Sequence, residues 1–349
     1  MKQPSTTDKH PGIHYPIAQA PAHGELVEVA PGIRWLRMPL PFSLDHINLW
    51  VLDDDDGWTL VDTGLAHPES QRIWEKLLAG PLSGRPIKRV IVTHFHPDHV
   101  GMAGWLVAKT GAQLVMSQIE WLWTRTLRLD HGADSLDAQL EFARTAGADD
   151  DYLAKEQRRG FGYHSLVKPL PATYLQIRHG DKLTIGGREW EMFEGRGHAP
   201  EHACLWCREA DVLISGDQVL PKITPIVGVP MWEPDSDPLA DFLDTIERLT
   251  ALPDNLLVLP SHILPFTGLH ARLKAMAAHH ADRLDDAYAA CAKPVTAMQT
   301  TACMFKRELD HEHTGFALRE ALAHLNYLMI RGRVTRKPDA NGVNWYRAV

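Results

Sequence analysis

The 349-residue chain is poor in several things, and each shortage removes a class of explanation. Four cysteines are too few and too scattered for a disulfide framework, so a reducing cytoplasm is the expected setting. No stretch approaches the roughly 18 apolar residues of a spanning helix, so no membrane partner is expected. The opening "MKQPSTTDKHPGIHYP" is polar and lacks an apolar h-region, which argues against a signal peptide. Positive charge is also scarce. With 36 Lys and Arg against 44 Asp and Glu, the net charge of -8 is unsuited to a protein that coats nucleic acid. Internal repeats and low-complexity tracts are missing. Histidine, by contrast, is abundant at 20 residues, and its placement directs the reading.

Residues 24 to 63 read as strands, with period-two alternation in "IRWLRMPL" and a hairpin turn at "DDDDG". An amphipathic helix follows, from Pro68 to a stop at Gly80, with Ile73, Trp74, Leu77 and Leu78 on one face. Residues 117–168 break the rhythm with a helical block, whose start carries an apparent capping box of Ser117 and Glu120. This block is expected to lie as an insertion over one edge of a β-rich core. Strands then resume, interrupted by one helix capped by Asp237. Past Pro265 come helical stretches and a basic hairpin around Asp339–Gly342, the outline of a winged helix. The expected organisation is a tail (1–23), a core (24–265) and a C-terminal helical, winged-helix-like domain (266–349).

"IVTHFHPDHVGMAG" (91–104) places three histidines and an aspartate within six positions, directly after an apolar run. In an extended segment, residues i and i+2 point the same way, so His94 and His96 can present two imidazoles to one point. Asp98 and His99 follow a turn forced by Pro97 and can reach a second point nearby. Neutral imidazoles with a carboxylate suit a borderline divalent ion such as zinc, although His/Asp donors also accept iron or manganese. The alternative is a polar helix-start loop that happens to be rich in histidine. Against it, "EGRGHAPEH" puts His198 after a strand and a glycine turn, and "LISGD" ends a strand at Asp217. "LLVLPSH" ends another at His262, and "TLVDTG" ends a fourth at Asp62.

HxHxDH at 94–99, followed by "GHAPEH", "SGD" and "PSH", resembles the metallo-β-lactamase superfamily over about residues 24 to 265. The resemblance implies an α+β fold, an αββα sandwich with the metal site at one edge between two sheets. It implies that His94, His96 and His198 hold one metal and that Asp98, His99 and His262 hold a second, with Asp217 bridging. Asp62 would orient a ligand, and His202 is expected to support the site from behind. Two adjacent zinc ions would then generate a bridging hydroxide that attacks a carbonyl, with Asp98 passing a proton to the leaving group.

Other candidates are less defined. His46 precedes a strand at the sheet edge and is a candidate substrate contact, as are Trp121, Trp123, Tyr163 and His164 in the helical block. Cys204 and Cys207 form CxxC inside an apparent strand and read as core, while His279 and His280 read as solvated. The expected activity is hydrolysis of a small acyl substrate, with a thioester of coenzyme A or glutathione favoured over a lactone or ester. A metal-dependent endoribonuclease acting on single-stranded RNA is the main alternative. A winged-helix nucleic-acid-binding protein with an inactive core is the second. Residues 293–349 carry nine Lys or Arg against five acids, a small excess that does not favour nucleic acid; packing against a second copy of the chain is the preferred role.

Overall fold

The computed structural model describes residues 12–42 and 44–349. Strands β1 (Leu26–Ala30), β2 (Ile33–Pro39), β3 (His46–Asp54) and β4 (Gly57–Val61) form an antiparallel meander. β2 buries Ile33, Trp35, Leu36 and Met38 and leaves Arg34, Arg37 and Pro39 half-buried, while β3 is buried almost throughout, as its nearly continuous apolar run requires. Helix α1 (Pro68–Ala79) crosses over to β5 (Ile87–Ile91), which pairs parallel to β4. The short α2 (Pro97–Val100) and α3 (Ala103–Thr110) lead to β6 (Gln113–Met116), again parallel.

Helices α4 (Gln118–Leu129), α5 (Ala133–Thr145), α6 (Asp150–Arg159) and α7 (Tyr163–Leu166) make up the helical block, inserted before β7 (Leu175–Gln176). β7 pairs parallel to β6 and completes a seven-stranded sheet in sequential order. β8 (Lys182–Ile185), β9 (Arg188–Gly195), β10 (His202–Cys207) and β11 (Val212–Gly216) form a second meander. Helix α8 (Pro238–Leu249), capped by the Asp237 carboxylate on Ala240 N, crosses over to the parallel β12 (Leu257–Pro260). Three helices follow, α9 (Leu269–Ala290), α10 (Ala297–Met304) and α11 (His311–Ile330), and then the hairpin β13 (Val334–Pro338) and β14 (Asn344–Ala348).

Among the described residues, three large apolar layers build the sandwich. Trp35, Trp50, Val61 and Ile91 of the first sheet meet Trp190, Leu205 and Ile214 of the second in the sandwich interior. Trp74, Leu77 and Leu106 cover the outside of the first sheet. Phe242, Ile246, Leu273, Met276 and Leu325 cover the outside of the second together with Cys204 and Leu213, so α8 to α11 share one layer. This is the αββα arrangement, with Cys204 and Cys207 in the core as free thiols. The C-terminal hairpin is tied on by Val295 pairing with Tyr346 and by Ala348 N donating to Cys291 O.

Two sequence expectations are corrected here. His280 is fully buried in the α9–α11 layer, because it lies on the face of α9 turned to Phe242 and His324. Ser117 and Glu120 do not form a capping box. The Ser117 hydroxyl donates to Glu201 O, and Glu120 is drawn inward under the histidine loop.

Candidate metal centre

The carboxyl ends of β4, β5, β11 and β12 meet at one edge of the sandwich, where loops leaving parallel strands converge. The β4 end supplies Asp62 and the β5 end supplies His94 to His99. The β11 and β12 ends supply Asp217 and His262, and the β9–β10 turn adds His198. All seven residues read as ligands from the sequence come together here, in two groups.

In the first group the facing ring nitrogens are close. His94 Nε2 is 2.8 Å from His96 Nδ1, which is 3.1 Å from His198 Nε2, and His198 Nε2 is 3.2 Å from His94 Nε2. Asp217 Oδ2 stands 3.5 Å from His198 Nε2. In the second group, His262 Nε2 is 3.5 Å from Asp98 Oδ2 and 3.4 Å from Asp217 Oδ1. His99 Nε2 is 3.8 Å from Asp98 Oδ2 and 3.5 Å from Asp217 Oδ1. Asp217 thus turns one oxygen to each group.

The donors fit divalent cations. Ligand atoms about 2.0–2.2 Å from a tetrahedral ion are separated by about 3.3 Å, close to the separations found here. His99 Nε2 and Asp217 Oδ1 are buried without a hydrogen-bond partner, the state expected of atoms that face an ion. Three imidazole nitrogens converging in the first group cannot all be satisfied by one another's protons.

Burial holds His94 neutral and lowers His96 to about 3, with neighbouring imidazoles adding to the effect. Burial also lowers His198, against the pull of Asp217. Burial opposes charge on His99 and His262 as well, but there the carboxylates prevail. Asp217, Asp62 and Asp98 raise His99 well above its usual value, and Asp217 and Asp98 raise His262 to about 10. Burial would raise Asp98, yet His99 and His262 bring it down to about 2.

The residues behind the ligands orient them. Asp62, at φ +61°, accepts from Thr93 N at 2.8 Å and from His99 Nδ1 at 2.8 Å, which fixes that ring with Nε2 facing inward. His202 stacks on His94 at 4.7 Å, and its Nε2 accepts from Asp217 N at 3.1 Å. Gly216 lets this happen: at φ +53°, a Cβ there would stand 2.4 Å from the His202 ring. His198 Nδ1 donates to Ile226 O at 2.7 Å, and His262 Nδ1 donates to His46 O at 2.9 Å.

A cavity of about 1270 Å³ opens from this centre. His96, Asp98, His198, Asp217 and His262 form one end. Trp123 and Tyr163 line it, and the Tyr163 hydroxyl donates to Phe95 O. Trp121 does not reach it and stacks on Tyr174 at 4.5 Å instead. His164 is exposed beside His131, because its side chain leaves the short α7 on the side away from the cavity. His46 is also absent from the wall. Its Nε2 accepts from Ile263 N at 3.0 Å, which makes it a support for the His262 loop.

Two features escaped sequence reasoning. Glu120 accepts from Phe95 N and Glu201 N, both at 2.8 Å, and so joins the loop of His94 and His96 to the loop of His198. The other is the far wall of the cavity, built by Phe305, Leu309 and Phe316 of the C-terminal helical region. There His311 meets Glu156 at 2.6 Å and Arg319 lies over Phe142, so α11 touches α5 and α6.

Residues 43–262 match the model of the metallo-beta-lactamase superfamily, and 284–349 match that of the metallo-beta-lactamase-like C-terminal domain. A beta-lactamase domain protein from Burkholderia ambifaria superposes with a TM-score of 0.90 at 42% identity, covering 97% of this chain and 98% of that one. The "Probable metallo-hydrolase YqjP" of Bacillus subtilis is 25% identical over 88% of this chain and 95% of its own length. Human "Acyl-coenzyme A thioesterase MBLAC2" is 24% identical over 67% of this chain and 79% of its own. With its αββα sandwich and its His/Asp clusters at the strand ends, the chain belongs to the metallo-β-lactamase superfamily of metal-dependent hydrolases.

Proposed function

We propose that this protein is a dinuclear zinc hydrolase of acyl thioesters, with an extended acyl chain on an anionic carrier such as coenzyme A. His94, His96 and His198 would hold one ion, and Asp98, His99 and His262 the other. Asp217 would serve both, a reading supported by its Oδ2 lying 3.5 Å from His198 Nε2 and its Oδ1 lying 3.4 Å from His262 Nε2. When bound, such ions polarise a carbonyl and bring the pKa of water towards neutrality.

The chain's own residues then have defined tasks. Asp62 and the His46 carbonyl keep the rings of His99 and His262 in one tautomer and one orientation. The Asp98 carboxylate lines the cavity and accepts the proton of the attacking water. It then returns that proton to the departing thiolate as the C–S bond breaks, so the products are a carboxylic acid and a thiol. Phe95, Trp123 and Tyr163 form an apolar wall that excludes bulk water from the carbonyl.

The cavity is the observation that carries the thioester reading. At about 1270 Å³ it exceeds the usual range of about 300–1,000 Å³ for small-ligand pockets. Beyond the metal centre, much of its wall is apolar, with Leu127, Ile223, Trp232, Phe305 and Phe316 among its residues. Lys222 and Arg307 line it at exposed positions without an acidic partner among the described residues, which suits phosphates or carboxylates on the carrier. The thioesterase relative supports the same choice.

The test is a hydrolysis screen of zinc-loaded protein against acyl-CoA esters of increasing length, glutathione thioesters, lactones, β-lactams and single-stranded RNA. Long-chain acyl-CoA should give the highest kcat/KM, and KM should fall as the chain lengthens. A lactone or RNA turned over faster than every thioester would sink the proposal.

A further inference from the structure

Helices α9 and α11 pack against each other outside the second sheet and bring His280, Glu320 and His324 to one point. One donor atom from each lies within 4.8 Å of the other two. Glu320 and His324 are four residues apart and share a face of α11, while His280 faces them from α9. Helix bundles build metal sites in this way, from side chains on facing helices. The Phe242 ring lies 5.3 Å from that of His280, within an apolar layer in which titratable groups are costly unless satisfied.

The local hydrogen bonding leaves ligand atoms available. His324 Nδ1 lies 2.7 Å from Glu320 O, an acceptor, so this nitrogen carries the proton and Nε2 presents its lone pair. A ring nitrogen donating to a backbone carbonyl is the usual support of a metal-bound histidine. His324 Nε2 faces His280 Nδ1 at 3.3 Å, longer than the usual 2.9–3.0 Å or so of an N–H hydrogen bond. It matches the edge of about 3.3 Å between two nitrogens on a tetrahedral ion. The Glu320 carboxyl has no hydrogen bond or ion pair among the described residues, and burial raises its pKa to about 7 against the attraction of Arg283, so binding a cation would displace its proton. Burial keeps both rings neutral, His280 at about 3 and His324 at about 4, which is the protonation state that binds metal. Glu320 also lines the cavity, so an ion has a path inward.

We propose that His280, Glu320 and His324 form a further divalent-metal site, of the zinc type, that clamps α9 to α11 and shares no residue with the centre at the strand ends. The competing arrangement is a long hydrogen bond between two neutral rings beside a protonated Glu320.

The experiment uses the full chain, stripped with chelator, reloaded with Zn²⁺ alone and freed of excess ion before elemental analysis. His94→Ala, Asp217→Ala and His262→Ala together disable the strand-end centre. That background should keep one Zn²⁺ per chain, and adding His324→Gln or Glu320→Gln should abolish it with the far-UV circular dichroism unchanged. A background that keeps no zinc overturns the proposal, and so does a zinc that survives both further substitutions. Anomalous diffraction at the zinc edge from crystals of the unsubstituted, zinc-loaded chain decides without relying on any variant to fold. A peak between His280 and His324 supports the site, and a map without one overturns it. Loss of zinc from the strand-end ligands alone would instead count against the dinuclear reading.

Discussion

One carboxylate oxygen of Glu120 holds Phe95 N and the other holds Glu201 N, so a single buried side chain sets the spacing between two histidine-bearing loops. Burial raises its pKa from 4.5 to about 8, although both hydrogen bonds favour the ionised form. The folded value lies above the unfolded one, so the stabilisation is complete below about 4.5. It is lost as pH rises towards 8, by up to about 1.4 kcal/mol per pH unit. Glu120→Gln should therefore flatten the fall in unfolding free energy between these pH values, read from denaturant midpoints at constant m. Identical slopes in the two proteins would show that Glu120 is ionised throughout. Asp217→Ala makes a second test at this scale. If its two oxygens are shared, both ions should be lost together in elemental analysis, and a variant that retains its full complement would rule out the bridge. Asp217 and His262 were legible in the sequence as polar residues where an apolar strand gives way to a loop. The 94–99 residues were legible from their HxHxDH spacing, and the full set of seven only from the family resemblance. Glu120 was not, since its partners lie 25 and 81 positions away and its local spacing imitates a helix cap.

Among the elements, the helical block was legible as an insertion from its loss of period-two alternation, but the direction of its side chains was not. Trp121 and Trp123 are two positions apart on α4 and so point to different sides, one to Tyr174 and the other to Phe95 and Trp232. The contrast is testable. Trp123→Ala should raise KM for a long acyl thioester several-fold, whereas Trp121→Ala should leave KM within about two-fold and act on stability. Phe316→Ala, across the cavity on α11, should behave like Trp123→Ala and have less effect on a short acyl chain. If all three variants match the parent for every chain length, neither the block nor α11 contacts substrate. The helical and hairpin elements of residues 266–349 were visible from their own patterns. That α11 walls the cavity was not, because it depends on packing against α5 and α6 through His311, Glu156 and Arg319.

At the scale of the whole molecule, the balance of charge bears on what the basic hairpin can bind. Arg331, Arg333, Arg336 and Lys337 are the local excess that a nucleic-acid reading needs, in a chain whose net charge is -8. The fold turns most of them on itself. Arg331 pairs with Asp237 and Arg336 with Asp235, each at 2.7 Å, in the segment that leads into α8. Arg331 also lies 3.4 Å over the Tyr327 ring and Arg333 lies 4.3 Å over Tyr288, so Lys337 alone of the four has no such contact among the described residues. Four free contacts to single-stranded RNA would give a log–log salt slope near 3, at about 0.7 per contact. With the arginines engaged internally, the expected slope is below about 1 and binding should be weaker than micromolar at physiological salt. Exposed ion pairs contribute about 0–1 kcal/mol each, but Arg336 is half-buried and also meets the buried Tyr346, so Arg336→Ala should lower stability modestly while leaving thioester hydrolysis nearly unchanged. The measurement is fluorescence anisotropy of a labelled single-stranded RNA across a salt series, with the parent chain and with Arg333 and Arg336 both replaced by Glu. Micromolar or tighter binding by the parent, steep in salt and lost in the double variant, would reverse the reading, because the arginines would have to leave Asp235 and Tyr288 to reach phosphate.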